Sequence, residues 1–599
     1  MTKKNLSIHS ENILPIIKKW LYSDKDIFLR ELVSNSCDAI QKLKIIRDEK
    51  NLDISDDEFR IDIKINKDLK TITISDTGIG MTFEEVEKYI AQIAFSGAEE
   101  FVKKYETNQE KDQIIGHFGL GFYSSYMVAT NVEVLTKSYE GNEKAVHWSS
   151  DGNAEYLIDY ADKDKRGTLI TLHVDESSTE YLEEAKLKSI LENYCRFLPY
   201  PIHLNDKQIN HQDPLWLKAP ADCTDKDYLE FYRKLYPMDP DPVFWIHLNV
   251  DYPFNLKGIL YFPKIHKKFD VNQSTINLFC NRVFVSDNCK DLFPDYLTVM
   301  RGAIDSPDIP LNVSRSYLQM DRTVKQVGSH ISKKISDRLK SLFKEDRDSF
   351  IKIFQDVETI VKLAVLQDEK FYERSKDFLL FKTIEDTWIT VEEYKEKSKQ
   401  NVVFYTIDDK NSLIDLYQEK NIPVLVANSN LDSALVNFLE SKLSGTEFKR
   451  IDSDLTSELL DTSKDKSLLD KDGKSIAQKM ADYVKECLSE TDLDVEAKSF
   501  ASSKVPAMIQ FDEKTRRLQE YMSFAQDAAS FPVKKTFVIN TNHKLIEAAW
   551  NLRSSKPEIS KKIVQHLFNT TLLSQKEISP DKIKGYVSEN LDLIDALIN

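Results

Sequence analysis

Arg60-Ile61-Asp62-Ile63-Lys64-Ile65-Asn66-Lys67-Asp68-Leu69-Lys70-Thr71-Ile72-Thr73-Ile74-Ser75-Asp76-Thr77-Gly78-Ile79-Gly80-Met81 is a pair of alternating runs around a polar turn. Ile61, Ile63 and Ile65, then Ile72 and Ile74, recur at period two, which predicts a β-hairpin with one buried face, folded at Asn66-Lys67-Asp68. Before it, from residue 23 to about 48, Phe28, Leu32, Ala39, Leu43 and Ile46 recur at helical spacing, with Leu29, Val33 and Ile40 beside them. Ser23 with Asp26 makes a capping-box start for that helix. Helix followed by sheet predicts an α/β or α+β sandwich. After the hairpin, alternation at 132–135 and 168–173 adds strands, and 181–197 reads as a closing helix.

Three constellations in this region carry chemistry. Glu31, Asn35 and Asp38 stand at i, i+4 and i+7, within an arc of about 60° on the helix. The stripe borders the apolar face, where a partly desolvated carboxylate suits a general base or a magnesium ligand. Taken alone, E-x-x-x-N is more often the solvated polar edge of a helix. Asp76-Thr77-Gly78-Ile79-Gly80-Met81 sets a carboxylate at a strand end before glycines that let the backbone turn under a flat ligand. Such a carboxylate can accept from an exocyclic amine such as adenine's; the same residues also make a plain tight turn. Gly116-His117-Phe118-Gly119-Leu120-Gly121-Phe122 precedes a helical pattern over 123–128, exposing backbone N–H groups to an anion. The order is neither the dinucleotide G-x-G-x-x-G nor a Walker A loop, and Gly473-Lys474-Ser475 lacks the upstream glycine.

Composition narrows the reading. Average usage of about 7% would give about 42 glycines in a chain this long. This chain has 15, and six of them, Gly78, Gly80, Gly97, Gly116, Gly119 and Gly121, fall in one stretch. With 41% hydrophobic and 30% charged residues the chain can bury several cores. A net charge of −16 works against a broad phosphate-backbone footprint, so nucleic acid is a poor partner. No apolar run approaches the roughly 18 residues of a membrane span. Glu11 and Asn12 interrupt the first segment, so no secretory leader is expected. Six cysteines without a CxxC pair fit a reducing cytoplasm, and no histidine or cysteine spacing suggests a zinc site.

Further along, strands are expected at 244–250, 258–262 and 276–285, and helices at 324–343 and 349–366. Short apolar runs at 402–406, 422–427 and 448–452, separated by helical stretches, predict a parallel sheet. Residues 453–474, rich in Asp, Ser and Lys, read as a linker or loop. Ile583, Val587, Leu591, Ile594 and Ile598 form an apolar stripe on a last helix, preceded by Ile563, Leu567 and Leu572. The stripe needs cover, from a partner subunit or from an internal bundle.

Taken in order within one domain, the three constellations resemble the ATPase fold shared by type II topoisomerases, histidine kinases, mismatch-repair ATPases and heat-shock protein 90. Tyr22-Ser23-Asp24-Lys25-Asp26-Ile27-Phe28-Leu29-Arg30-Glu31-Leu32-Val33-Ser34-Asn35, together with residues 76–81 and 115–123, is most similar to the heat-shock protein 90 chaperones of bacterial type. Tyr252-Pro253-Phe254-Asn255-Leu256-Lys257-Gly258 and Leu311-Asn312-Val313-Ser314-Arg315 agree. The resemblance implies an α/β multidomain chain. Residues 1–215 would be an α/β sandwich ATP-binding domain with a lid at about 82–121, and 216–455 an α/β middle domain. Residues 456–474 would be a linker, and 475–599 a mainly helical dimerisation domain.

The resemblance also assigns roles. Glu31 would be the general base, Asn35 would hold Mg²⁺ against the phosphates, and Asp76 would bind the adenine amine with Thr168 in support. Asp38, Gly78, Gly80, Met81, Ser96, Gly97 and Gly116 would line the ATP site, with Gly119, Gly121 and Phe122 wrapping the phosphates by backbone amides. Arg315 would reach the γ-phosphate from the second domain, with Gln319 nearby; by itself Arg315 reads as an ordinary surface arginine. ATP and Mg²⁺ are the implied cofactors. The implied partners are unfolded or partly folded client proteins, a second copy of the chain and other chaperones, with no nucleic acid and no membrane. Apolar residues around Met508, Leu518, Tyr521, Met522 and Phe524 are a candidate client surface or a buried helix. A DNA-acting ATPase of the topoisomerase or mismatch-repair kind is the alternative. One departure stands out: a lysine usual in the lid is Phe95 in this chain.

Overall fold

The computed structural model describes residues 24–55, 59–92, 95, 97, 101, 114–116, 119–153, 155–264, 275–287, 294–309, 322–453, 455–461, 475–488, 493–517 and 534–598. The chain divides into two compact units, Met1–Ile335 and Ser336–Asn599.

The first unit is founded on helix α1 (Ile27–Lys50) and an eight-stranded sheet. Its strands are β1 (Ile61–Asn66), β2 (Thr71–Asp76), β3 (Ala129–Lys137), β4 (Ala145–Ser150), β5 (Leu157–Ala161), β6 (Gly167–Val174), β7 (Ile202–Leu204) and β8 (Lys207–Gln208). Their order is β5-β4-β3-β6-β2-β1-β7-β8, and only β1 and β7 pair in parallel. β1 and β2 form the expected hairpin, with Ile63 opposite Ile74. The apolar side of α1 (Phe28, Leu32, Val33, Ile40, Leu43) joins Ile61, Ile63, Ile72, Ile74, Val132, Val134 and Leu172 in one buried cluster. Each such side chain stabilises the fold by about 1.5–3 kcal/mol. α1 ends at Asn51, whose left-handed backbone (φ 50°, ψ 50°) turns its N–H back onto the Arg47 carbonyl. Its start differs from the expected capping box. Asp26 makes no side-chain cap; its carboxylate accepts instead from the Tyr181 hydroxyl at 2.7 Å and Lys186 Nζ at 2.9 Å. Ser23 lies outside the described residues.

After β2 come α2 (Phe83–Tyr89), closed by a Thr82–Glu85 capping box, and a 3₁₀ helix at Gly121–Met127 where an α-helical pattern was read. Helix α3 (Glu184–Tyr194) closes the sandwich. The same unit continues with α4 (Asp225–Leu235) and strands β9 (Phe244–Val250), β10 (Leu256–Phe262), β11 (Thr275–Cys280), β12 (Val283–Ser286) and β13 (Arg301–Asp305), ordered β12-β11-β13-β10-β9. Phe197, Trp216, Phe231 and Phe279 pack edge-on and tilted as its aromatic core. β11 and β12 join through Asn281 and Arg282, both at positive φ (49° and 66°), the backbone that matches strand twist in a two-residue hairpin.

Helix α5 (Arg322–Glu345) runs across the division, and α6 (Arg347–Gln367) follows. The second unit contains the short pair β14 (Phe381–Lys382) and β15 (Trp388–Ile389), then β16 (Val402–Thr406), β17 (Leu425–Val426), α7 (Asp432–Lys442) and β18 (Glu447–Arg450). β17-β16-β18 is parallel throughout, as the short apolar runs predict. Between α6 and α7 the ammonium of Lys362 is buried against Asp432 and Glu358, each at 2.5 Å.

The C-terminal block holds α8 (Ile476–Leu488), β19 (Leu493–Lys498), β20 (Ala507–Phe511), β21 (Lys535–Asn540), α9 (Lys544–Leu552), α10 (Pro557–Ser574) and α11 (Pro580–Ile598). A three-stranded sheet, β19-β21-β20, thus underlies helices whose stripes alone were legible. Met508 sits buried in β20 and is neither helical nor a surface residue; residues 518–524 lie outside the described set. Of the expected linker, 455–461 packs through buried Leu455 and Leu459, and 462–474 lies outside the described residues. No helix among the described residues is long and apolar enough to cross a membrane.

Candidate functional site

The polar stripe of α1 faces a segment that returns over it. A β-carbon on Gly121 would stand 2.6 Å from Glu31 Oε2. One on Gly116 would stand 3.0 Å from Asp38 Oδ2 and 3.5 Å from Asn35 Oδ1. The helix therefore presents Glu31 to the backbone at Gly121, and Asp38 and Asn35 to the backbone at Gly116, where a larger residue would press on the carboxylates.

Each of the three is held differently. Glu31, buried, accepts from Arg30 through Nε at 3.1 Å and Nη2 at 2.7 Å, and Arg30 is itself 1% exposed. Asp38 accepts the amide of Ile115 on Oδ1 and that of Gly116 on Oδ2, both at 2.7 Å. Charge-assisted bonds of this length are about twice as strong as neutral ones. The side chain of Asn35 makes no hydrogen bond with any described residue, which leaves its amide oxygen for an incoming group. One further turn along, Lys42 continues the stripe. Burial lowers its pKa, opposed by the charges of Asp38 and Glu85.

Asp76 ends β2 with its carboxylate buried. Oδ1 accepts from the amides of Gly78 at 2.8 Å and Thr168 at 3.3 Å. Burial pushes its pKa up to about 6; the two amides and the charge of Lys163 pull the other way. Glycine is obligatory around it. At Gly80 (φ 66°) an added β-carbon would meet the Lys137 carbonyl at 1.8 Å, and at Gly167 (φ 104°) the Asp76 carbonyl at 2.2 Å. Met81 donates its amide to Thr136 Oγ1 at 3.0 Å, and that hydroxyl lies 3.0 Å from Thr168 Oγ1. Thr168 thus touches Asp76 through its amide, while Thr136 links its hydroxyl to the Met81 amide.

Gly119, at φ 62°, lies against the backbone of Phe95, and Gly97 against the Tyr89 ring. Phe95 stacks on Tyr89 at 6.0 Å, with Lys88 Nζ 5.3 Å from the Phe95 ring. Phe122 is buried between Tyr123 and Trp148. Ser96, Arg315, Gln319 and half of the lid at 82–121 lie outside the described residues. Gly167, Thr136, Lys163 and Lys42 were missed by sequence reasoning. The first three come to Asp76 only through the pairing of β6 with β2 and β3; Lys42 was detectable as the next member of the i, i+4, i+7 series.

Among the described residues no group of three acidic, histidine or cysteine side chains gathers to hold a metal. A single amide oxygen, that of Asn35, would suit a metal held mainly by another group's oxygens. Asn35 offers an oxygen with no hydrogen bond to any described residue, and the absence of a side chain at Gly116 leaves that oxygen uncovered on that side.

Residues 24–177 match the family model described as histidine kinase-, DNA gyrase B-, and HSP90-like ATPase, and residues 204–596 match the model for Hsp90 protein. The chain is 40% identical to the chaperone protein HtpG of Bacteroides thetaiotaomicron, over 99% of this chain and 92% of that one. It is 42% identical to the HtpG of Bacteroides fragilis, over 91% and 84% respectively. It is 31% identical to the HtpG of Bacillus subtilis, over 96% and 97%.

Proposed function

The chain belongs to the Hsp90 protein family, and from that premise we propose that it is a molecular chaperone that hydrolyses ATP to ADP and phosphate and couples the cycle to closure of a homodimer around client proteins. One observation carries the reading: Gly121 lies against Glu31 and Gly116 against Asn35 and Asp38, so a polyphosphate entering there meets backbone amides, a carboxylate and an amide oxygen together. The DNA-acting alternative loses its footing in residues 204–596, which match the Hsp90 model.

In this reading the ionised carboxylate of Asp76 accepts from the exocyclic amine of adenine through Oδ2, while its Oδ1 stays fixed by Gly78 and Thr168. Backbone amides of Gly119, Gly121 and Phe122 take the phosphate oxygens. Asn35 would hold Mg²⁺, whose charge would offset that of the phosphates. Arg30 aims Glu31, and Glu31 takes a proton from the attacking water as its oxygen bonds to the γ-phosphorus and the bridge to the β-phosphate breaks. Arg315 supplies positive charge to the transition state, with Gln319 beside it, so turnover depends on closure of the lid.

The division into 1–215, 216–455, 456–474 and 475–599, a cytoplasmic setting, and handover from other chaperones belong to the same proposal. The exposed stripe of α11 (Ile583, Val587, Leu591, Ile594, Ile598) is the dimer contact. The deciding experiment is Glu31→Ala: ADP binding should persist at wild-type affinity while hydrolysis is lost. Wild-type turnover in that variant would remove Glu31 from its role.

A further inference from the structure

On the side of α1 where Cys37, Asp38 and Gln41 meet Ile115, the first unit holds a second cleft of about 290 Å³. Its opposite wall comes from the five-stranded sheet and its loops: Asn255, Lys257, the Asn281–Arg282 turn and Asp305. The turn is tied to the segment over α1, since Asn281 Nδ2 donates to the Ile114 carbonyl at 3.1 Å.

The acceptors and donors in this cleft are unequally satisfied. Both oxygens of Asp38 hold main-chain amides, Asp305 takes the Arg282 amide at 3.1 and 3.3 Å, and Gln41 Oε1 takes the Tyr200 hydroxyl at 2.5 Å. Three donor groups are left over. Arg282 gives Nε to the Phe197 carbonyl at 2.6 Å, but its Nη2 is buried with no hydrogen bond. Lys257 faces the charge of Asp305 without closing an ion pair with any described residue, and the Asn255 side-chain amide has no hydrogen bond among them. A buried donor left unmatched costs about 1–3 kcal/mol, more for a charged group. Arg282 Nη2 is such a buried donor, and the group that completes this cleft must therefore bring acceptors, with the half-buried Lys257 favouring an anionic one.

We propose that the cleft is a second anion site, sharing the Asp38 wall with the nucleotide pocket but built on donors of its own, that takes the oxyanion end of a small molecule. A phosphate or a carboxylate would accept from Arg282 Nη2, Lys257 Nζ and Asn255 Nδ2. The volume admits a compact organic anion, since a water claims only about 30 Å³ of liquid. The site does not depend on the ATPase reading, because none of these three donors has a part in it.

The test titrates inorganic phosphate and, separately, malonate into the full chain by calorimetry, with and without excess ADP. At least one anion should bind saturably with a Kd at or below about 1 mM in both conditions. Lys257→Gln should weaken that binding about tenfold or more, and Lys257→Arg should restore it. Asn255→Leu, at a half-buried loop position, serves as a second probe, with thermal melts confirming that each variant folds. Phosphate-only or malonate-only binding supports the site and tells which oxyanion it prefers. Absence of saturable binding by either anion overturns the proposal. So does binding that vanishes in ADP, or binding of unchanged strength in both Lys257→Gln and Asn255→Leu.

Discussion

Asp76 is a carboxyl whose folded pKa, about 6, lies above its ordinary 3.8 because it is buried. The folded chain holds that proton where the unfolded chain has released it. The group therefore favours folding below pH 3.8, and that contribution is lost as pH rises through about 6. An amine donor needs the ionised form, so nucleotide affinity should fall as pH drops below about 6. Calorimetry in buffers of different ionisation enthalpy should show about one proton released on ADP binding near pH 5 and none near pH 8. Asp76→Asn should abolish both the release and most of the affinity; unchanged affinity would remove Asp76 from the adenine contact. Gly121→Ala tests the other end of the site. Its methyl would fall 2.6 Å from Glu31 Oε2, so turnover should drop by about 10²-fold, the effect of a misplacement near 1 Å, with ADP affinity far less changed. At this scale the periodic stripe of Glu31, Asn35 and Asp38 was readable, because one helix carries all three. Gly167 and Thr136 were not, because strand pairing alone brings residues from so far along the chain to Asp76.

Among elements, the segment 114–116 is gripped from two directions, by Asp38 on α1 and by Asn281 on the β11–β12 turn. Asp38→Ala removes both carboxylate acceptors, and hydrogen exchange at the Ile115 and Gly116 amides should accelerate by one to two orders of magnitude, roughly the loss of a charge-assisted bond. Exchange at the wild-type rate would mean the carboxylate does not restrain this segment in solution. In the second unit, Lys362→Met strands Asp432, 3% exposed, without its cation and should cost about 3–5 kcal/mol in urea unfolding. Lys362→Met with Asp432→Leu should recover most of that loss. Helix α1 and the β1–β2 hairpin were legible because each announces its own period over many residues. The capping box at Asp26 misled because the carboxylate prefers Tyr181 and Lys186, more than 150 residues away. The sheet β19-β21-β20 stayed hidden for a related reason: β19 alternates only weakly in burial, whereas the helices above it carry long apolar stripes.

For the molecule as a whole, the family and the α/β architecture were readable from motif order, whereas the division at Ile335 and Ser336 follows no compositional break, since α5 runs through it. The stripe of α11 leaves Leu591 63% and Ile594 51% exposed on one chain. Leu591→Glu with Ile594→Glu should give monomers in sedimentation velocity and slow ATP turnover severalfold; a persistent dimer would place the contact elsewhere. The same stripe has a consequence for heat tolerance. If two copies cover it, part of the fold's stability is set by mass action, and the melting temperature rises with protein concentration. Dilution alone should then lower the melting temperature of wild type and leave that of the double variant unmoved. A cell that makes more of this chain under heat would also be making each copy harder to melt.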